Sequence, residues 1–121
     1  MSKQVGVFTQ KIISILNLNI PVETPIFIGE QNIAHIESKH SHDYYHYGHL
    51  LEDIIANPDY VGIVPKDKSI EYIKEVSIDP NVKIKIAIRV TPKGIYFVRT
   101  FYNVQDSHIQ KALAKGMLYK V

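Results

Sequence analysis

Residues 82–90 read VKIKIAIRV, an unbroken alternation. It sends Val82, Ile84, Ile86, Ile88 and Val90 to one side of an extended strand and Lys83, Lys85, Ala87 and Arg89 to the other. Three neighbouring stretches share its β-branched and aromatic character: YVGIV (60–64), SIEYIKEVSI (69–78) and GIYFVRTFYNV (94–104). PKDKS (65–69) and DPN (79–81) supply turn chemistry between them, so the pattern predicts an antiparallel meander of four strands.

The first half has a different period. VGVF (5–8) suits a short strand, and Thr9 is placed to cap QKIISILNL, whose Ile12, Ile13 and Leu16 share one helical face. Pro21 and Pro25 lead into PIFIG (25–29), a short buried strand closed by Gly29. From Asn32 onward, Ile33, Ile36, His40, Tyr44, Tyr47, Leu51 and Ile54 recur three or four apart, the stripe of an amphipathic helix. Ser41 and Asp43 are favourable N-caps, which predicts a break and two helices, about 32–40 and 43–56. Asn57 suits a left-handed C-cap before Pro58, and DSHIQKALAKG (106–116) reads as a closing helix ended by Gly116. The expectation is a single α+β domain over 1–121. N-terminal helices precede a four-stranded antiparallel sheet whose one face they cover, and a short C-terminal helix follows.

The turn TPKG (91–94) decides which faces of the last hairpin meet. Pro at its second position and Gly at its fourth favour a type I turn with a bulge at Gly94. Thr91 then opposes Ile95. Tyr96, Val98, Thr100 and Tyr102 join the isoleucines, while Phe97, Arg99 and Phe101 join Lys83, Lys85 and Arg89. A plain two-residue turn would drive Arg99 among the isoleucines, at a cost of several kcal/mol. The outer face therefore carries cations that can hold phosphates and rings that can stack on unpaired bases. A plain solvent face, with Lys and Arg blunting aggregation, has the same composition.

Composition narrows the field further. An apolar fraction of 45% and a charged fraction of 21% are those of a soluble globular protein, and a net charge of +2 leaves any anionic partner to be attracted by charge placement. With no cysteine, disulfides and thiolate metal sites are excluded. The start MSKQVGVFTQKII lacks a signal-peptide run, and no stretch approaches the ~20 apolar residues of a membrane helix. A cytoplasmic protein with no membrane partner is expected.

HIESKHSHDYYHYGH (35–49) holds five of the six histidines. His42, His46 and His49 follow an i, i+4, i+7 spacing, and an i, i+4 pair can bind zinc, with His40 as a further ligand. The HEXXH pattern of catalytic zinc helices is absent, so a metal-binding protein is the weaker alternative. Proton transfer needs fewer coincidences, because imidazole titrates near neutrality. Cleavage of RNA by its own 2′-OH requires a base, an acid and a cation on the phosphate. His35 and His40 can supply the first two and Arg99 or Lys85 the third, with Tyr44 bonding the phosphate or orienting an imidazole. No cofactor is needed. A core role for His40 on the apolar stripe, solvation of the other four and a structural His108 are the bland alternative.

The segments IFIGEQNIAHIESKH, DIIANPDYVGIVPKDKSIEYIKEV and IAIRVTPKGIYFVRTFY occur in that order. Together they resemble the phage-associated nucleases of the barnase–EndoU–colicin–RelE superfamily, over about Thr24 to Tyr102. The resemblance implies a small α+β fold of helices followed by a four-stranded antiparallel sheet, and a metal-independent ribonuclease, many relatives being toxins. It implies that HIESKH and FVRT carry function, through His35, His40, Arg99 and Thr100. Thr100 conflicts with the hairpin register above, which turns it into the core. The leading expectation is thus a phage or prophage endoribonuclease leaving a 2′,3′-cyclic phosphate. Arg89, Phe97 and Phe101 would hold flanking nucleotides of a single-stranded region or tRNA, and an inhibitor protein would guard the host. A non-catalytic module for RNA or protein is the second reading.

Overall fold

The computed structural model describes residues 1–79 and 81–121. In chain order the elements are β1 (Ser2–Val7), α1 (Gln10–Leu16), β2 (Pro25–Gly29) and α2 (Glu30–Tyr47), then a 3₁₀ turn (Gly48–Leu50) and α3 (Leu51–Ala56). There follow β3 (Tyr60–Ile63), β4 (Ile70–Glu75), β5 (Lys83–Val90), β6 (Tyr96–Asn103), α4 (Asp106–Ala114) and β7 (Leu118–Lys120). The turn expected at 79–81 includes residue 80, which lies outside the described residues.

The antiparallel meander is present as β3–β6, but the expected architecture is corrected. The chain begins with a strand, and the meander is the middle of a seven-stranded mixed sheet ordered β1-β2-β6-β5-β4-β3-β7. The short stretches β1 and β2 pair antiparallel with each other, and β2 then pairs parallel with β6 through Ile26↔Tyr96 and Phe27↔Phe97. Two such strands would be marginal alone; joined to the meander, they gain backbone partners and a shared core. At the opposite edge β7 adds to β3. Gly62 permits that contact, since a Cβ there would run into the carbonyl oxygen of Met117.

Phe8, Ile26, Ile36, Ile54, Ile55, Tyr72, Ile84, Ile86, Ile88 and Phe101 form the centre of the main core. Thr9 caps α1 by accepting the Ile12 N–H at 3.3 Å, and Asn17 ends that helix in the left-handed region. Helices do not cover one face alone. Ile73, adjacent to the core residue Tyr72 and so pointing the other way, packs with Val104, Ile109 and Leu118 under α4.

The break predicted near residue 40 exists as non-helical geometry at His40 (φ −139°, ψ 44°), yet α2 resumes and runs to Tyr47. The second expected helix is present as the part of α2 beyond the kink, interrupted by the 3₁₀ turn and continued by α3, but Asn57 (φ −139°) is not left-handed. Because β2 pairs with β6 for only two residues, α2 takes its place along the rest of that edge. Asp43 accepts the backbone N–H of Asn103 at 2.9 Å, the Tyr44 ring meets Phe101 edge-on, and His40 stacks on Tyr102. An otherwise open strand edge is thereby covered.

The hairpin tip matches expectation: the Thr91 N–H donates to the Ile95 carbonyl at 2.8 Å, and Gly94 has φ 82°. Arg89↔Phe97 and Ile88↔Val98 continue that register. The ladder then shifts, resuming at Ala87↔Thr100, Ile86↔Phe101 and Lys85↔Tyr102, so β6 has one extra residue at Arg99. The expected placements beyond Arg99 are therefore reversed, while Arg99 itself stays on the outer face as expected. Phe101 is fully buried in the core, and Thr100 and Tyr102 lie on the outer face with Lys85 and Arg89. The reason is packing: the bulge buries a phenylalanine in place of a threonine, and a buried Phe is worth about 1.5–3 kcal/mol.

Candidate active site

Three cations on the outer face of β4–β6, Lys85, Arg89 and Arg99, line one pocket, and their partners differ. Lys85 meets Glu71 across the β4–β5 pair at 2.6 Å, with both side chains nearly buried. Burial alone would pull the Lys85 pKa down. The hydrogen bond and charge of Glu71, with Tyr102 adding, outweigh it and leave the ammonium's pKa raised. Arg89 pairs with Asp67, and its Nε donates to Ser69 Oγ at 3.1 Å. Asp67 sits in the 65–69 turn; bonds from the Ser69 backbone N–H, the Ser69 side chain and Arg89 hold its carboxyl well below the usual range. Arg99 is exposed, and among the described residues it has no acidic partner. Of these three, its charge is the one without a carboxylate partner among the described residues.

Around Arg99 lies a pocket of about 290 Å³, lined among others by His35, Ser69, Lys85, Arg89, Thr100 and Tyr102. The bulge brings Arg99 and its neighbour Thr100 to this same pocket, where regular alternation would have separated them. His35 arrives from α2, two residues beyond the core-packed Ile33 and next to the buried Ile36. Past Arg89 and Arg99 a second concavity of about 510 Å³ opens between the start of α2 and the hairpin tip, with Phe97 on its wall.

Of the residues singled out from sequence, His35, Lys85, Arg89, Arg99 and Thr100 come together in one pocket, and Phe97 lies beside it. His40 is not among the residues that line it; its ring stacks on Tyr102, which does, with centroids 4.6 Å apart and planes at 18°. Two others are elsewhere. Phe101 is in the core, and Tyr44 packs against it, its hydroxyl pKa raised by burial and by Glu37, with Lys3 opposing. His42 and His46 place their rings 4.4 Å apart, but His49 falls in the 3₁₀ turn. Among the described residues no group of three His, Asp or Glu side chains could hold a metal ion. Ser69, Asp67 and Tyr102 are pocket residues that sequence reasoning missed. Tyr102 was assigned to the core by uninterrupted alternation, and Asp67 was visible only as turn chemistry.

An imidazole, a guanidinium without an acidic partner and the hydroxyls of Ser69, Thr100 and Tyr102 around one pocket can move protons beside a bound anion. Among the described residues no helix is long and apolar enough to cross a membrane. No curated protein and no solved structure matches the chain. One family model does, over residues 3–111, nearly the whole chain and including every residue of the pocket. With that match, the protein belongs to the phage-Barnase-EndoU-ColicinE5/D-RelE like nuclease 3 family.

Proposed function

We propose that this nuclease is a phage or prophage endoribonuclease, acting on cytoplasmic RNA through the substrate's own 2′-OH and without a metal. One imidazole removes the 2′-OH proton, and the 2′-oxygen attacks phosphorus. The bond from phosphorus to the 5′-oxygen breaks, and a second group protonates that leaving oxygen. The products are a 2′,3′-cyclic phosphate and a 5′-OH. His35 serves as one proton-transfer group and His40, held against Tyr102, as its counterpart. Arg99 binds the scissile phosphate, where charge grows in the transition state, with the Thr100 hydroxyl as a further donor. Arg89 and Phe97 hold a flanking nucleotide in the adjoining concavity. If the protein is a toxin, a cognate inhibitor follows as its partner.

The observation that supports this reading best is the meeting of His35, Thr100 and an unpaired Arg99 in one pocket, from elements far apart in the chain. The test is cleavage of end-labelled RNA in EDTA. The expected result is a 2′,3′-cyclic phosphate product, abolished by 2′-deoxy substitution at the cleaved nucleotide and reduced at least about a hundredfold by Arg99→Ala. Cleavage of 2′-deoxy strands, or undiminished activity of His35→Ala combined with His40→Ala, overturns it.

A further inference from the structure

The closing helix presents two side chains that the proposed chemistry does not use. His108 and Lys111 are exposed, one turn apart on α4, and face a third concavity of about 360 Å³ whose walls include Tyr102, Asn103 and Ser107. Tyr102 also lines the pocket around Arg99. The pocket around Arg99 therefore lies between the other two concavities, sharing Arg89 and Arg99 with the one beside Phe97 and Tyr102 with the one beneath α4. Strand β6 sets their direction, and from Phe97 to Tyr102 it spans about 16 Å. Along this line rings and cations alternate: Phe97, Arg99, Tyr102 with His40 stacked on it, then Lys111.

We infer that this trough is a track for three successive nucleotides of single-stranded RNA, with His108 and Lys111 holding the backbone on the side of the scissile linkage away from Phe97. The inference rests on the endoribonuclease reading and deepens it. Rings alternating with cations suit unpaired bases, whose faces are free to stack; a duplex keeps its bases inside and offers backbone alone. Among the described residues Lys111 has no ion pair, so its charge is available to a phosphate. The helix beneath it is fixed, because Ile109 is buried with Ile73, Val104 and Leu118, so both side chains are offered from a rigid element.

The test is binding of fluorescent RNA oligonucleotides of increasing length, 2′-deoxy at the cleavable position, measured by anisotropy across a salt series. Wild-type affinity is expected to rise from dinucleotide to tetranucleotide. Lys111→Ala should leave the dinucleotide unchanged, weaken the tetranucleotide about threefold to tenfold and lower its salt slope by about 0.7. Lys115→Ala, at the C-cap of the same helix and outside the trough, should change neither. Equal wild-type affinity for the two lengths, or a Lys111→Ala variant indistinguishable from wild type on the tetranucleotide, overturns the track. The all-ribose oligonucleotides separate the two ideas. Binding as described without cleavage removes the nuclease mechanism and supports the track; cleavage without any length dependence removes the track alone.

Discussion

Removing the carboxylate of Glu71 should be among the most damaging single changes on the outer face. Its side chain is 8% exposed and that of Lys85 12%, with 2.6 Å between the charged atoms. Glu71→Ala leaves a nearly buried ammonium whose remaining neighbour is the Tyr102 hydroxyl. Orphaning one member of a buried pair costs about 3–5 kcal/mol. That is a large part of the roughly 5–15 kcal/mol by which a domain is stable. Replacing both, Glu71→Leu with Lys85→Met, leaves no buried charge and should fall within about 1–2 kcal/mol of wild type. Urea unfolding at neutral pH of wild type, Glu71→Leu, Lys85→Met and the double variant gives the coupling energy directly. The pH dependence has a definite sign. Because the folded-state pKa of Lys85 is raised above 10.5, the pair's contribution is complete below that value and is lost as pH climbs through the higher one. Wild type should therefore lose stability in strong alkali relative to the double variant. A Glu71→Ala cost below about 1 kcal/mol, or a double variant as unstable as that single one, would refute the reasoning.

Three further outcomes are expected. Tyr72→Phe should raise stability by about 1 kcal/mol in thermal or urea melts, since the Tyr72 hydroxyl is buried with no hydrogen-bond partner among the described residues. Gly62→Ala should cost about 1–3 kcal/mol and speed hydrogen exchange at Leu118–Lys120, because the added methyl meets the backbone of Met117 beneath β7. The carboxyl resonance of Asp67 should titrate well below 3.8 by NMR. Its stabilisation is present above that pH and disappears as pH falls through the depressed value, a dependence that Asp67→Asn should erase.

What the sequence revealed, and where it stopped, can be traced along one hairpin. The alternation in β5 and the Pro and Gly of TPKG gave the correct partners from Thr91 down to Ile88. Nothing punctuates FVRTFY, so alternation was carried past Arg99, and Thr100 and Phe101 were assigned to each other's faces. A signal was available: Val98 and Phe101 are the large apolar residues there, and an odd spacing of three between them requires a bulge if both are to be buried. The resemblance singled out Thr100, which the structure places on the pocket wall where periodicity had put it in the core. The edge strands were illegible for a different reason. VGVF and PIFIG read as strands, but PIFIG joins β6 through residues seventy positions apart, VGVF reaches the sheet only through PIFIG, and β7 has only three residues. His35 could be named from its chemistry. Its company could not, because the distance from α2 to Arg99 depends on β2 giving up the edge of β6 after two residues.

That handover carries an evolutionary consequence. Since α2 both shields the flank of β6 and delivers His35, drift that loosened the helix would bare a strand able to recruit other copies of the chain. Selection against clumping would thus preserve the helix even in a lineage whose nuclease chemistry had decayed. On the proposed mechanism, inactive descendants should keep Asp43 and Ile36 long after they lose His35.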